Sequence, residues 1–175
     1  MAKDSPNPLV KAGQIGLVKP DPEKEMERAP GQAVQRWARG DATLMQLKGY
    51  TEEELYSIAQ QGYTLFLNGK IKDAQVIFEG LVAVDPRNDY YYRALGVVYH
   101  RMGDAEKAIK KFTHAVTVAP KHPTAYVNRA EVHIARRHYE KALTDLDYAI
   151  RVAADLATPI ARKALALRSL IRRQR

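Results

Sequence analysis

The chain has 175 residues, of which 46% are hydrophobic, so it can bury the core of one domain or of a short array of repeats. It contains no cysteine, which excludes a disulfide scaffold, thiolate metal sites and a cysteine nucleophile. The chain has 28 Lys and Arg against 20 Asp and Glu, which gives a net charge of +8. A basic chain suggests a nucleic acid or an anionic membrane as partner, so the location of the charge matters.

Residues 1–40 carry a net charge of only +2, from 7 basic and 5 acidic side chains. They hold five of the nine prolines and show weak apolar periodicity, so we predict a flexible N-terminal arm. Residues 32–40 are compatible with a short helix that carries Trp37, which either docks the arm on the rest of the chain or anchors a partner or a second copy. Residues 1–20 lack the apolar core of a secretory signal, so we expect the protein to stay in the cytoplasm.

Small and apolar residues then recur every 34 residues. The recurring sets are Gly62, Gly96 and Ala130; Ala74, Ala108 and Ala142; Phe78, Phe112 and Leu146; Leu81, Ala115 and Ala149; Pro86 and Pro120; and Gly69, Gly103 and Arg137. A period of this length is that of the tetratricopeptide helix–turn–helix. The pattern therefore predicts an all-α fold in which three repeats within residues 41–156, at about 55–88, 89–122 and 123–156, stack in a right-handed superhelix.

The phase of the repeat also predicts the helices. First helices are expected near 52–67, 89–101 and 123–135, and second helices near 71–84, 105–118 and 139–152. Gly62 and Gly96 are small where the two helices of a unit approach closely, whereas Gly69 and Gly103 fall where a positive φ helps the first helix to end. Thr51 precedes the first helix with a glutamate three residues later, which predicts a capping box.

Residues 157–175 are predicted to form an amphipathic capping helix, with Thr158 as N-cap and Pro159 as its first residue. Its apolar face consists of Ile160, Ala164, Leu167 and Ile171. Residues 155–175 have a net charge of +5, against +1 for residues 41–154, so most of the positive charge is local. The candidate basic patch is Arg162, Lys163, Arg168, Arg172 and Arg173. It is either a solvated outer face or a docking surface for nucleic acid or an anionic membrane.

First helices line a concave groove in such stacks, and the groove is the candidate binding site. Its predicted lining is Tyr56, Ala59, Gln60, Tyr63, Phe66 and Leu67; Tyr90, Arg93, Ala94, Val97, His100 and Arg101; and Thr124, Val127, Asn128, Glu131, Ile134 and Ala135. Aromatic residues and arginine are the usual anchors of peptide interfaces. The residues predicted to bind a partner are Tyr56, Tyr63, Phe66, Tyr90, Arg93, Val97, His100, Arg101, Asn128 and Glu131.

The sequence offers little for catalysis or metal binding. None of the five histidines belongs to a His-Glu-x-x-His motif, and no glycine-rich phosphate loop or nucleophile elbow occurs in the repeats. Asp145 and Asp147 are two residues apart on a predicted helix, so their carboxylates face different directions. We therefore predict no catalytic residues, no metal, no cofactor and no enzymatic activity.

Several stretches carry a family resemblance: LYSIA at 55–59, GK at 69–70, DAQVIFEGLVAVDP at 73–86 and YYYRALGVVYHRMGDAEKAIKKF at 90–112. Over about residues 43–152 the chain resembles the class II chaperones of type III secretion systems, which guard translocator proteins. The resemblance implies a groove that binds a short extended segment of a translocator, with Tyr63 and Phe66 as its aromatics. It also implies a homodimer through the N-terminal helix, near residues 32–48. Members are commonly acidic, whereas this chain is basic.

These patterns favour a protein–protein interaction module that binds an extended peptide in its concave groove, with a chaperone of translocator-type proteins as the specific form. Two alternatives stay open. One is a scaffold subunit of a larger assembly, and the other is a nucleic-acid or anionic-membrane binder that acts through the basic C-terminal helix.

Overall fold

A computed structural model describes Arg36, Arg39 and residues 41–173, except for the side chain of Leu47. The predictions about the N-terminal arm, the short helix at 32–40 and Trp37 therefore lie outside the described residues. Within residues 41–173 the chain is all-α. Its helices are α1 (Leu44–Lys48), α2 (Glu52–Leu67), α3 (Ile71–Val84), α4 (Asp89–Arg101), α5 (Ala105–Val118), α6 (Pro123–Ala135), α7 (Tyr139–Val152) and α8 (Pro159–Arg173).

The six helices α2–α7 begin and end where the phase of the repeat predicts, and the predicted fold class is confirmed. They form three helix pairs, α2–α3, α4–α5 and α6–α7, which stack in chain order. We continue to propose the division into an arm, three repeats and a cap.

Local capping explains where α2 begins. The Thr51 hydroxyl accepts a hydrogen bond from the Glu54 amide at 3.1 Å, and the Glu54 carboxylate accepts one from the Thr51 amide at 2.9 Å. This reciprocal pair satisfies two backbone donors that a helix start leaves without partners. The predicted capping box is therefore present, and α1 begins in the same way at Thr43 with Gln46.

The turns inside the repeats need a left-handed residue. Gly69 has φ 76° and Gly103 has φ 82°, as expected for glycines that end a first helix. The third repeat places Arg137 at the corresponding position, with φ 60°. Because a side chain in this region crowds the following carbonyl, the third turn carries conformational strain that the first two avoid.

We expect Arg137→Gly to stabilise the protein by about 0.5–1 kcal/mol, because glycine adopts a positive φ without steric cost. The free energy of unfolding from urea titration is the measurement. The reciprocal change, Gly103→Ala, should destabilise the protein by a similar amount. A destabilising effect of Arg137→Gly would contradict this account of the turn.

Each repeat is packed around one large side chain. Phe78, Phe112 and Leu146 are fully buried, and the two phenylalanines face Gly62 and Gly96 on the first helices of their own repeats. A methyl group added at Gly96 would lie 2.5 Å from the Phe112 ring, so only glycine lets these two helices approach so closely. In the third repeat the smaller Leu146 accompanies Ala130, and both are fully buried.

The stack is closed at its C-terminal end by α8, which packs against α7 and α6. Ala164 and Ile171 are buried in the cluster of the third repeat, and Ile160 and Leu167 pack against that cluster. The Thr158 hydroxyl caps the helix by accepting a hydrogen bond from the Ala161 amide. The face predicted from the spacing of these apolar residues is therefore the one that α8 buries.

The stack curves around its first helices. α2 contacts α4 and α4 contacts α6, whereas the second helices α3, α5 and α7 make no contacts with one another. Helices that touch across repeats lie on the inner side of the bend. The inner face of residues 52–135 is consequently built from α2, α4 and α6.

Candidate functional site

A pocket of about 170 Å³ opens on the inner face, where α2, α4 and α6 meet. Its walls and base are Tyr63, Phe66, Phe78, Tyr90, Arg93, Ala94, Val97, Val98 and Asn128. Most of these side chains are apolar, and the few polar groups belong to Arg93, Asn128 and the tyrosine hydroxyls. Pockets for drug-sized ligands are commonly about 300–1,000 Å³, so this one is of a size for a single large side chain.

The surface of α2 beside the pocket is unusually exposed. Tyr56 is 40% exposed, Tyr63 is 49% exposed and Leu67 is 64% exposed, although all three are large and mainly apolar. Phe66 is partly buried and packs against the core of the first two repeats. Exposed apolar side chains grouped beside a pocket are typical of an interaction surface rather than of a solvated helix face.

The cation in the pocket is already neutralised. Arg93 lies 2.7 Å from the Asp89 carboxylate one turn earlier on α4, and its guanidinium lies 5.5 Å from the centre of the Tyr90 ring. Burial raises the pKa of Tyr90, so its hydroxyl stays protonated and can donate a hydrogen bond to a ligand. The pocket therefore presents apolar surface and neutral hydrogen-bonding groups.

Six of the ten residues predicted to bind a partner line this pocket: Tyr63, Phe66, Tyr90, Arg93, Val97 and Asn128. The other four lie outside it. Tyr56 accepts a hydrogen bond from Gln60 on α2, His100 and Arg101 are exposed at the end of α4, and Glu131 forms an ion pair with Lys163 of α8 at 2.8 Å.

Two positions in the wider predicted lining are wrong. Ala59 and Val127 are fully buried, because each lies on the side of its helix that packs against a neighbouring helix. Sequence reasoning also missed Phe78 and Val98, which form part of the pocket. The ring of Phe78 both packs against Gly62 on α2 and forms part of the pocket.

The basic patch on α8 is less cationic than its sequence suggests. Arg168 lies 3.0 Å from the Asp147 carboxylate, Arg172 lies 3.8 Å from the same group, and Lys163 is paired with Glu131. Arg162 and Arg173 are exposed. Three of the five predicted basic residues are therefore engaged with carboxylates of the third repeat.

The histidines do not assemble a metal site among residues 41–173, where no three His, Asp or Glu side chains lie together. His133 is only 7% exposed, and its Nδ1 has no hydrogen-bond partner among the residues that the structure describes. Burial lowers the pKa of His133, as do Arg129, Lys141 and His138, whereas Asp145 acts in the opposite direction. His133 is thus a buried neutral side chain of the third repeat.

We expect the protein to lose stability as pH falls below about 6.5, the ordinary pKa of histidine. The folded state keeps His133 neutral while the unfolded chain takes up a proton, so stability rises with pH across this window. Urea titrations at pH 7.5 and 5.5 measure the effect. His133→Met should reduce the pH dependence, and His100→Met, which changes an exposed ring at the end of α4, should not. Burial also lowers the pKa of His122, so some dependence should remain in the His133 variant.

No helix in residues 41–173 is both long enough and apolar enough to cross a membrane.

Comparison with known sequences supports the repeat assignment. The tetratricopeptide repeat family model matches residues 60–126 and 99–157, which together are more than half of the chain. Tetratricopeptide repeat protein 36 of Caenorhabditis elegans is 48% identical over 48 residues, which is 27% of this chain and 27% of that protein. Low calcium response locus protein H of Yersinia pestis is 25% identical over 126 residues, covering 70% of this chain and 73% of that protein.

Solved structures show the same fold. The type III secretion translocator chaperone SycD of Yersinia enterocolitica superposes with a TM-score of 0.69 at 19% identity, over 74% of this chain and 98% of that one. PcrH, known from Pseudomonas aeruginosa, superposes with a TM-score of 0.65 at 25% identity in its complex with the chaperone binding region of PopD, over 72% of this chain and 96% of that one. The predicted resemblance to translocator chaperones is confirmed, and the chain belongs to the tetratricopeptide repeat family.

Proposed function

We propose that the protein binds an extended segment of a partner polypeptide along its inner face, with one apolar side chain of that segment in the pocket. The observation that carries the proposal is the pocket of about 170 Å³ beside the half-exposed Tyr63. A leucine or phenylalanine side chain matches this volume and the apolar walls. Aromatic residues around a pocket are the usual energetic centre of a peptide interface.

The relatives support a more specific form of this function. SycD is named as a translocator chaperone, and PcrH is described in complex with the chaperone binding region of PopD. We infer that this protein is a chaperone that holds a translocator-type protein in the cytoplasm before export. Its role would be to cover a segment of that partner, without catalysis and without a cofactor.

The alternatives have less support. A binder of nucleic acid or anionic membranes would need a surface of unpaired cations, and three of the five basic residues of α8 are paired with carboxylates. A scaffold subunit would use the same pocket but would keep its partner permanently. A homodimer through the N-terminal arm stays a proposal, because residues 1–40 lie almost wholly outside the described part of the chain.

We expect Tyr63→Ala to weaken peptide binding about tenfold, and Tyr63→Ala with Phe66→Ala to weaken it further, because both remove aromatic surface from the pocket wall. The full chain can be panned against a phage library of random dodecamer peptides. Selected peptides, synthesised with a fluorophore, then give affinities for each variant by fluorescence polarisation.

A matched control is Val76→Ala, since Val76 is 68% exposed on α3, away from the pocket. It should leave the affinity unchanged. Helix content from circular dichroism shows whether each variant folds, which matters for Phe66 because it also packs on the core. Equal affinities for the wild type and the folded Tyr63 variant would refute the assignment of the pocket. Affinity capture from the native cell, followed by mass spectrometry, would then identify the natural partner.

A further inference from the structure

The turn of the second repeat and that of the third lie side by side at one edge of the inner face. Arg136, in the turn between α6 and α7, forms an ion pair with Glu106 at the start of α5. This bridge holds residues 101–107 next to residues 136–141. We call these two segments the turn edge.

The turn edge carries more cations than it neutralises. Its cations are Arg101, Lys107, Arg136, Arg137 and Lys141, and its anions are Asp104, Glu106 and Glu140. Lys107 is paired with Asp104 at 3.0 Å, and Arg136 is paired with Glu106. Arg101 and Arg137 are both exposed, and neither has an acidic partner among residues 41–173.

Arg137 adopts a left-handed backbone conformation that is unfavourable for a residue with a side chain. The first and second repeats use Gly69 and Gly103 at this position, and the third uses an arginine at φ 60°. The guanidinium makes no ion pair that would offset the strain within the described part of the chain. A strained residue whose side chain makes no stabilising ion pair within the protein indicates a functional role, such as binding a partner.

The turn edge adjoins the pocket. Arg101 lies one helical turn beyond Val97, which lines the pocket, on the same helix. Residues four apart on a helix lie on the same face at about 6 Å, so a chain that leaves the pocket in this direction reaches Arg101 next. The opposite edge, where α2 begins, is acidic, because Glu52 and Glu54 lie in the first turn of α2. Burial raises the pKa of Tyr91 near this edge to about 12, and Asp85 and Glu52 add to the effect.

We propose that Arg101 and Arg137 bind an acidic segment of the polypeptide partner, next to the apolar side chain that fills the pocket. This inference rests on the proposed function in taking the partner to be a polypeptide. Alternate side chains of an extended chain lie on the same side, about 7 Å apart, so acidic residues at alternate positions can meet two guanidinium groups. A polypeptide is favoured over a phosphate backbone because Arg101 adjoins the apolar pocket, which fits a hydrophobic side chain.

The test uses acetylated, amidated hexaglutamate as the probe and hexaglutamine as its neutral control. Titration of the ¹⁵N-labelled full chain at low salt should shift the amide resonances of residues 101–104 and 136–138, and hexaglutamine should not. Arg101→Gln and Arg137→Gly should each weaken hexaglutamate binding about two- to fivefold. Arg137→Gly should at the same time raise the thermal midpoint, which separates lost binding from lost folding. Arg162→Gln, a change of an exposed arginine on α8, is the matched control and should leave the binding unchanged.

Three results would overturn the inference. The shifts could fall on α8 instead, the affinity could be unchanged in both turn-edge variants, or a dodecamer of deoxythymidine could bind these residues more tightly than hexaglutamate does. The last result would assign the turn edge to nucleic acid. The turn-edge proposal and the pocket proposal can fail independently. Tyr63→Ala, which alters the pocket, should leave hexaglutamate binding intact. If the same variant also leaves the affinity of the selected peptides unchanged, the pocket assignment fails and the turn edge stands.

Discussion

Replacing Asp145 by alanine should destabilise the protein by about 3 kcal/mol, the largest effect of a single substitution that we expect. Asp145 is buried on α7, and its carboxylate accepts two hydrogen bonds from Arg129 of α6, from Nε at 2.9 Å and from Nη2 at 2.7 Å. The remaining Nη1 of Arg129 donates to the Thr113 hydroxyl of α5 at 2.9 Å. One guanidinium group therefore ties both helices of the third repeat to the second repeat.

The expected loss follows from what the variant leaves behind. Arg129 would keep its charge, because its pKa is raised mainly by the hydrogen bonds to Asp145 and is high even without them. Its side chain is only 18% exposed, so most of the guanidinium would lose its partner without regaining water. Breaking a buried pair on one side commonly costs about 3–5 kcal/mol, and the partial exposure of Arg129 places this case at the lower end.

Asp147→Ala is the matched control, because it removes a carboxylate two residues away on the same helix. Asp147 is 41% exposed and is paired with Arg168 and Arg172, so its loss should cost less than about 1 kcal/mol. Urea titration at pH 7.5 measures both variants. Replacing both partners, as in Arg129→Met with Asp145→Leu, should recover most of the stability. Similar losses for Asp145→Ala and Asp147→Ala would contradict the assigned role of the pair.

Helix positions and the repeat fold could be predicted because they depend on local signals in a fixed phase. Gly62, Gly96 and Ala130 fix where helices approach, and Pro86 and Pro120 follow the second helices. The predicted separation of Asp145 from Asp147 is also seen, since the two carboxylates bind different arginines. What the sequence alone does not reveal is which arginines they bind. Arg129 is 16 residues from Asp145, and that contact depends on how far α7 is rotated against α6.

The candidate site was predictable to the same degree. Helical phase assigned Tyr63, Val97 and Asn128 to one face, and all three line the pocket. Helical phase does not distinguish neighbouring positions on a helix, so it predicts Ala59 and Val127 on the inner face although packing buries them. Net charge was the least informative signal, because it counts cations whether or not they are paired. Arg93 and Lys163 both carry charge that a nearby carboxylate neutralises.

A second large effect is expected at Gly96, where Gly96→Ala should destabilise the protein by about 2 kcal/mol. The new methyl group would lie 2.5–2.8 Å from three atoms of the Phe112 ring, and Phe112 is only 1% exposed, so the ring has no free space into which it can move. Overpacking of this kind costs about 1–3 kcal/mol. Alanine favours the helix over glycine by about 1 kcal/mol, which offsets part of the strain. Gly80→Ala is the matched control, because a methyl group there meets no described atom within 4 Å and should stabilise α3.

The third repeat indicates how the damage at Gly96 can be repaired. There the corresponding positions hold Ala130 and Leu146, both fully buried, so a methyl group on the first helix coexists with a smaller side chain on the second. Phe112→Leu should therefore cost less in the Gly96→Ala background than in the wild type. Urea titration of the two single variants and the double variant gives the coupling energy, which we expect to be about 1–2 kcal/mol and favourable. Additive losses would mean that the glycine and the phenylalanine are independent. A favourable coupling would instead show that the two positions depend on each other. The distance between the two helices of a repeat would then be set jointly by the small residue on one helix and the large residue on the other.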